Sequence, residues 1–422
     1  MKIILLLTRI AARNTLRNKR RTLLTMSILA LGSSGLIVIG GFFTDLMDGF
    51  REVFIHSQTG HLQVNARGYD RLGATDPFQF LIPDLPRVQG EVEKTPHVLF
   101  TAPRLSFSGM ASSSSVTVGC MALGVDAQRE QWMGGFRTNG QNMPSIRIVE
   151  GADLDPAEPD GVVLGTGLLA SLGLKVGDSV GFVTTRPGGA LDGAQFRVRG
   201  TFTTFIKDFD DRAMKLNLGK AQAILGTPNQ AQSLLVVLDR TAQTDHVKAA
   251  LLSRIGIEGG HLKDLEIIPW YEMADYYRQS KSLLNKIYET IQLILLIVFV
   301  ISIGNTVNMA ILERTREFGT MLAIGGGRET VFALILMEGF FLGLLGAGLG
   351  LLVGTGAAAI LSAVGIEMTP PQAAQVYVTR VAVTPPLLLQ AFLVAMLSAV
   401  IAAVSPAYRI CRTRIVESLG YV

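Results

Sequence analysis

The sequence predicts an α-helical membrane protein with four transmembrane helices and a large α+β domain inserted between helices 1 and 2. Three observations carry that reading. Of 422 residues, 49% are apolar and only 17% are charged, against about 25% charged in an ordinary soluble domain. The apolar excess is not spread out: four stretches contain no Asp, Glu, Lys or Arg, each long enough for the ~20 residues a helix needs to cross a bilayer. Between the first and second stretch lies a long segment of mixed strand and helix pattern. A mean hydropathy of +0.38 excludes a disordered chain, which would combine low hydrophobicity with high charge.

In chain order, residues 1–21 form a basic amphipathic segment on the cytoplasmic side. It carries Lys2, Arg9, Arg13, Arg17, Lys19, Arg20 and Arg21 and no acid. Residues 22–44 are the first transmembrane helix, charge-free from Thr22 to Thr44. That run exceeds the h-region of a signal peptide and no small-x-small site follows it, so it reads as an uncleaved anchor. Residues 45–286 lie outside. The second transmembrane helix is 287–312, followed by a cytoplasmic loop at 313–329. The third is 330–364, interrupted near its start by Glu338. A short external loop, 365–384, leads to the fourth, 385–406, and residues 407–422 are a cytoplasmic tail with Arg409, Arg412 and Arg414. Orientation follows from Lys and Arg near the span ends: seven precede the first span, while only Arg380 lies between the third and fourth.

The segment from Asp45 to Lys286 holds 24 basic and 27 acidic residues. The overall charge of +4 therefore comes from the cytoplasmic ends, where a basic strip meets anionic lipid, and not from a nucleic-acid surface. Cys120 and Cys411 fall on opposite sides of the membrane, so no internal disulfide is expected.

Within the external segment, His61 to Val64 alternates with period two and Ser233 to Leu238 is a short apolar strand. Ala242 to Ile255 places Val247, Leu251, Leu252 and Ile255 on one helical face, and Leu265 to Ile268 closes a β-α-β unit. Val162 to Leu164 and Phe196 to Phe202 read as strands, and Ser112 to Ser115 as a flexible link. The pattern implies two subdomains, the middle one inserted into the first. Catalytic chemistry finds no support. His56 and His61 are five apart, with no Cys or carboxylate pair at zinc-ligand spacing. Asp208, Asp210 and Asp211 lack the glycine and distant Glu of a calcium loop and read as a solvated turn. There is no Gly-x-Ser-x-Gly and no Gly-x4-Gly-Lys-[Ser/Thr] phosphate loop. No catalytic, cofactor or metal residue is assigned, and any ATP must be supplied by another chain.

The cytoplasmic loop runs Glu313-Arg314-Thr315-Arg316-Glu317-Phe318-Gly319-Thr320-Met321-Leu322-Ala323-Ile324 before three glycines. A helix over Glu313 to Ile324 puts Phe318, Met321 and Leu322 on one face, with charges at its start and glycine at its end. Together with Asn305-Thr306 upstream and Glu338-Gly339 downstream, this loop resembles the FtsX-like permease module. The whole chain resembles a MacB/LolC-type ABC transporter permease. Arg13 to Leu24 is similar to that family's entry helix, and Gly60 to Val64 and Leu172 to Asp178 are similar to its periplasmic core. The chain departs from the family at Gly326-Gly327, where Ala-Thr or Ala-Ser is usual, and in its tail, where Ile415 precedes Val416-Glu417-Ser418-Leu419 in place of Pro.

The resemblance implies an inner-membrane permease subunit with a periplasmic domain, working with an ABC ATPase dimer that holds ATP and Mg, and with a second permease chain, as homodimer or with a paralogue. Glu313, Arg314, Arg316, Glu317, Phe318, Met321 and Leu322 would form the helix that docks on the ATPase. In the third span, Gly346, Gly350 and Gly354 recur at a spacing that lets helices approach closely, either within the chain or at a dimer seam. Glu338 needs a polar partner in lipid, for which Asn305 and Asn308 are candidates. Lipoprotein release from the outer leaflet, export of a periplasmic compound with an adaptor or chaperone, and FtsX-like signalling to a periplasmic partner remain open as functions.

Overall fold

A computed structural model describes residues 8–11, 13–14, 19–73, 76–135, 145–204, 206–255, 264–368 and 377–412. Most of the basic N-terminal segment and the Ile415 to Leu419 motif lie outside these residues. The chain forms two compact units.

The first unit, Met1–Met47, Ser280–Ile366 and Val378–Val422, is built from long helices: α1 (Lys19–Phe54), α7 (Asp275–Glu313), α9 (Arg328–Val364) and α10 (Pro385–Arg412). All four are long and apolar enough to cross a membrane. The 39 residues of α7 would reach ~58 Å at 1.5 Å per residue, well beyond a ~30 Å hydrocarbon core. The helix begins at Asp275, before the 287–312 span read from the sequence, because its first turns are polar and hydropathy does not register them. Two apolar clusters tie the helices together, a larger one that includes Leu29, Phe299, Ile303, Ala399, Ala403 and Ala407 and a smaller one around Leu36, Ile37 and Ala391.

The second unit, Asp48–Gln279 and Glu367–Tyr377, contains ten described strands in one sheet. They are β1 (Leu62–Ala66), β2 (Val98–Ser112), β3 (Thr117–Val125), β4 (Arg147–Gly151), β5 (Gly161–Gly165), β6 (Ser179–Thr185), β7 (Leu191–Thr203), β8 (Ala213–Asn217), β9 (Ser233–Leu238) and β10 (Leu265–Pro269). Six strands close on themselves: β2 pairs with β3, β3 with β8, β8 with β5, β5 with β7, β7 with β6, and β6 returns to β2. Closure removes the exposed edges of this part of the sheet. Leu105, Phe107, Val162, Phe182, Phe196 and Leu216 fill the ring, with Phe107 and Phe182 edge to face at 5.7 Å.

The other part runs β10–β1–β9 onto the first half of β2. Helices α2 (Leu85–Glu93) and α6 (Thr244–Ile255) supply Val88, Val92, Val247 and Leu251 to a core against Leu62, Val64, Leu234 and Val236. On the opposite face, Leu235 and Val237 of β9 pack with Ala102 and with Met133 of α3 (Ala127–Gly134). Both faces are covered, which is why β9 is continuously apolar and not alternating. Helices α4 (Thr166–Leu172) and α5 (Leu218–Leu225) pack on the ring. Before β1, the chain makes a π-helical turn at Ile55–Thr59 and passes Gly60, whose φ is +66°. A Cβ there would come to 3.0 Å of the Val236 carbonyl oxygen, so only glycine fits.

Two readings are corrected here. The serine run after Ser112 is not a flexible link: the Ser113 N–H donates to the Val116 carbonyl at 2.8 Å, closing a tight turn between β2 and β3. Nor is Asp210 solvated. It is buried and accepts from the Thr204 N–H and from the Thr203 and Thr204 hydroxyls at 2.8 Å each, which fixes the turn after β7.

Candidate functional site

The loop between α7 and α9 contains one helix, α8 (Thr315–Ala323). Arg314 breaks the chain direction at φ −114°, ψ 14°. At the other end Gly325 takes φ +95°, and the N–H groups of Gly325 and Gly326 cap the Leu322 and Met321 carbonyls, a glycine-terminated helix end.

Arg314 organises the region. Its Nε donates to Glu317 at 2.8 Å and its Nη1 to Glu338 of α9 at 2.9 Å, and its guanidinium lies 5.1 Å above the Phe318 ring. Glu338 also accepts from the Asn14 side chain at 2.8 Å, and Arg21 makes a two-pronged contact with Glu313 at 2.5 and 3.0 Å. A carboxylate that is costly in lipid is thus neutralised at the end of the helix bundle. Its partners are Arg314 and Asn14. Asn305 and Asn308 instead line a separate groove between α7 and α10.

The apolar face of α8 turns inward. Phe318 is 1% exposed and belongs to a cluster with Val307, Ile311, Val331, Leu334 and Ile335, against which Met321 and Leu322 pack half-buried. These three residues are held inside the chain, because their helical spacing serves the nearest apolar surface, which is α7 and α9. The outward face consists of Arg316, Glu317, Thr320, Ala323 and Ile324, the last 81% exposed. Helical spacing located the amphipathic element but carried no signal for whether its apolar face meets lipid, a partner or the chain itself.

The glycine row of α9 faces α1. A Cβ on Gly346 would meet the Leu29 side chain, one on Gly350 would overlap Ser33 Oγ, and one on Gly354 would meet Ile37 and the Ser34 backbone. Gly339 and Gly343 stand in the same way against α10. Ser33 cannot step aside, since its hydroxyl donates to the Leu29 carbonyl at 2.6 Å. Gly350→Leu is expected to force α1 and α9 apart at a cost of about 1–3 kcal/mol or more, read as a lower melting temperature of the detergent-solubilised chain. An unchanged melt would mean that α9 does not pack on α1.

In the second unit, the ligand atoms of Glu52, His56 and His61 lie within 4.8 Å of one another. Glu52 stands one helical turn before His56, a signal missed when only the two histidines were compared. The hydrogen bonds do not suit a metal. His61 Nδ1 accepts from the Leu238 N–H at 3.1 Å, so its Nε2 carries the proton and donates to Thr241 Oγ1 at 3.2 Å. Thr241 in turn donates to Glu52 at 2.9 Å. Neither His61 nitrogen keeps a lone pair for a cation. Burial lowers the His61 pKa to about 3, so the ring stays neutral in a relay from β9 to α1.

A buried ion cluster completes the inventory. Arg104 of β2 donates to both carboxylate oxygens of Glu130 on α3 at 3.0 Å, and to the Ser57 and Gln58 carbonyls of the π-helical turn at 2.9 and 2.8 Å. Lys215 of β8 reaches Glu130 at 2.6 Å.

These features define a membrane protein: four helices long and apolar enough to span a bilayer, a large folded domain and a short helix braced by charge. Residues 22–254 match the MacB-like periplasmic core domain and residues 290–415 match the FtsX-like permease C-terminal module. The chain belongs to the MacB-like periplasmic core domain family and is a MacB/LolC/FtsX-type ABC transporter permease. It is 25% identical over 228 residues to an uncharacterised ABC transporter permease of Methanocaldococcus jannaschii, covering 52% of this chain and 54% of that one. It is 22% identical over 342 residues to the lipoprotein-releasing system transmembrane protein LolC of Neisseria meningitidis, covering 79% and 76%. A macrolide export ATP-binding/permease protein MacB of Bartonella quintana is 22% identical over 346 residues, covering 80% of this chain and 49% of that protein. The chain thus spans about half the length of the first and third of these relatives. Four apolar helices with a periplasmic core domain fit an inner-membrane protein with a periplasmic domain.

Proposed function

We propose that this chain is the permease subunit of a transporter in which a separate ABC ATPase dimer binds and hydrolyses ATP, and that α8 passes the resulting motion to the periplasmic domain. In this reading both termini and α8 are cytoplasmic, and two permease chains flank the ATPase pair. The observation that carries it is the bracing of α8. Arg314 ties the helix to Glu338 of α9 and to its own Phe318, so a push on the outward face is delivered to a span and not absorbed by a slack loop.

The cargo we favour is a lipid-anchored protein of the outer leaflet, released into the periplasm. Support comes from the LolC relative, whose matched region takes in three quarters or more of both chains. The MacB relative matches over less than half of its own length and is named as an ATP-binding protein as well as a permease. Export of a periplasmic compound is the second reading, and it uses the same coupling.

Ile324 is an apolar side chain almost fully in solvent at the end of the proposed docking face. Ile324→Asp is expected to weaken binding of the ATPase about tenfold, the effect of losing a modest interface anchor, while leaving the melting temperature unchanged. A pull-down from membranes and ATP turnover of the assembled complex are the measurements. Full binding and full turnover in Ile324→Asp would remove α8 as the coupling element.

A further inference from the structure

The chain has five histidines. His261 lies outside the described residues, and the other four meet as two pairs in the second unit. The pair of His56 and His61 is buried, and His61 is committed to the relay from β9 to α1. The other pair is exposed. His97 ends the turn between α2 and β2, and His246 lies in the first turn of α6. Their ring centroids are 6.3 Å apart at an interplanar angle of 76°.

Asp239 holds His97 at both backbone and ring. Val98 of β2 pairs with Leu238 of β9, which sets Asp239 beside His97. The Asp239 N–H donates to the His97 carbonyl at 3.1 Å. The His97 backbone there has φ +70°, a left-handed conformation uncommon outside glycine. The His97 Nδ1 stands 3.0 Å from the Asp239 carboxylate. An ionised carboxylate only accepts, so Nδ1 carries the proton and the neutral ring keeps its lone pair on Nε2. Among the described residues, no hydrogen bond occupies that Nε2 or either ring nitrogen of His246. His61 is the reverse case, with both nitrogens taken. A histidine held at Nδ1 by a carboxylate and open at Nε2 is the arrangement that metal-ligating histidines adopt.

We infer that His97 and His246 bind one divalent transition-metal ion, with Zn²⁺ as the reference case, Asp239 as the positioning residue behind His97, and water in the remaining positions. Imidazole suits Zn, Cu and Ni, whereas Ca and Mg take oxygen ligands. Two imidazoles on one tetrahedral ion, with Zn–N bonds of about 2.1 Å, have ring centroids about 5 Å apart. Closing the gap from 6.3 Å takes a shift of about 1 Å, which a side-chain rotation of exposed His246 supplies. The bound ion would staple the turn before β2 onto α6, two regions that also meet where Arg254 of α6 donates to Glu91 of α2 at 2.6 Å. The inference is independent of the transport reading.

The test uses the full chain in detergent, freed of any histidine tag and of metal, and titrated with ZnCl₂ in a calorimeter. One Zn²⁺ should bind per chain in the micromolar range, and MgCl₂ should give no heat of binding. His97→Gln and His246→Gln, both surface changes, should each abolish the binding. Asp239→Ala should weaken it about ten- to a hundredfold, the usual loss when the group behind a metal-bound histidine is removed. The metal-free melting temperature of each variant checks that the fold is kept. Saturating Zn²⁺ should raise the melting temperature of wild type and leave that of the His97→Gln, His246→Gln double variant where it was. Zinc uptake only at millimolar concentration overturns the inference. So does uptake that survives the loss of either histidine, which would place the ion elsewhere. Wild-type affinity in Asp239→Ala overturns the positioning role, and a melting temperature that Zn²⁺ does not move overturns the staple.

Discussion

Phe318→Ala is expected to destabilise the helical unit by about 3 kcal/mol or more, the usual cost of emptying a buried aromatic site, and to weaken ATPase binding as a consequence. The ring is enclosed by Val307, Ile311, Val331, Leu334 and Ile335 and covered by the Arg314 guanidinium. Its removal leaves a cavity and withdraws a cation–π contact of about 0.5–2 kcal/mol. Arg314 then loses the surface that aims it at Glu338, and α8 is freed at its hinge. Phe318→Leu separates this account from direct docking. A leucine fills much of the space, so stability and ATPase binding should both recover most of the way toward wild type. The measurements are the melting temperature in detergent and the pull-down with the partner ATPase. If Phe318→Ala melts like wild type yet no longer holds the ATPase, the ring belongs to the partner interface.

Phe318 also shows what the sequence could and could not disclose. Its spacing with Met321 and Leu322 announces an amphipathic helix, but period alone is silent on whether the apolar side meets lipid, a partner or the chain itself. The spans were legible because charge is excluded from lipid over a fixed length. For the same reason the polar start of α7, from Asp275, left no trace. In the second unit, Ser233 to Leu238 was readable as a strand because burial on both faces leaves a continuous apolar run. The 15-residue β2 was not, because it changes partners along its length, from β9 to β3 and β6, and its pattern changes with them. The serines after it looked flexible, though a tight turn also favours small polar residues. The glycine row reads from the sequence as a place of close approach, and in this structure it faces α1. Its partner, α1, lies some three hundred residues away in the chain, and no local pattern encodes a contact at that range. The same holds for Arg104, Glu130 and Lys215, which meet across separations of 26 and 85 residues.

That cluster gives the other large effect. Glu130→Gln is expected to cost the second unit about 3–5 kcal/mol at neutral pH, the price of breaking a buried ion pair from one side. The Glu130 carboxylate is 5% exposed and faces two buried cations. An amide there leaves both without a counter-charge, while Arg104 remains fixed to the Ser57 and Gln58 carbonyls. Arg104 and Lys215 hold the Glu130 carboxyl at about 2, below an ordinary 4.5, and burial pushes the Lys215 ammonium down. A carboxylate with a depressed folded pKa contributes stability that is complete above its unfolded value and is lost as pH falls through the folded one. Wild type should therefore lose this contribution between about pH 4.5 and pH 2. Glu130→Gln has nothing to lose there, so the gap between the two proteins should narrow on acidification. Both tryptophans, Trp132 and Trp270, lie in the second unit, so their fluorescence follows that unit within the full chain. Urea midpoints at pH 7, 4 and 3 give the comparison. Parallel curves, with a constant gap across that range, would show that Glu130 titrates no differently when folded and that the cluster contributes through packing alone.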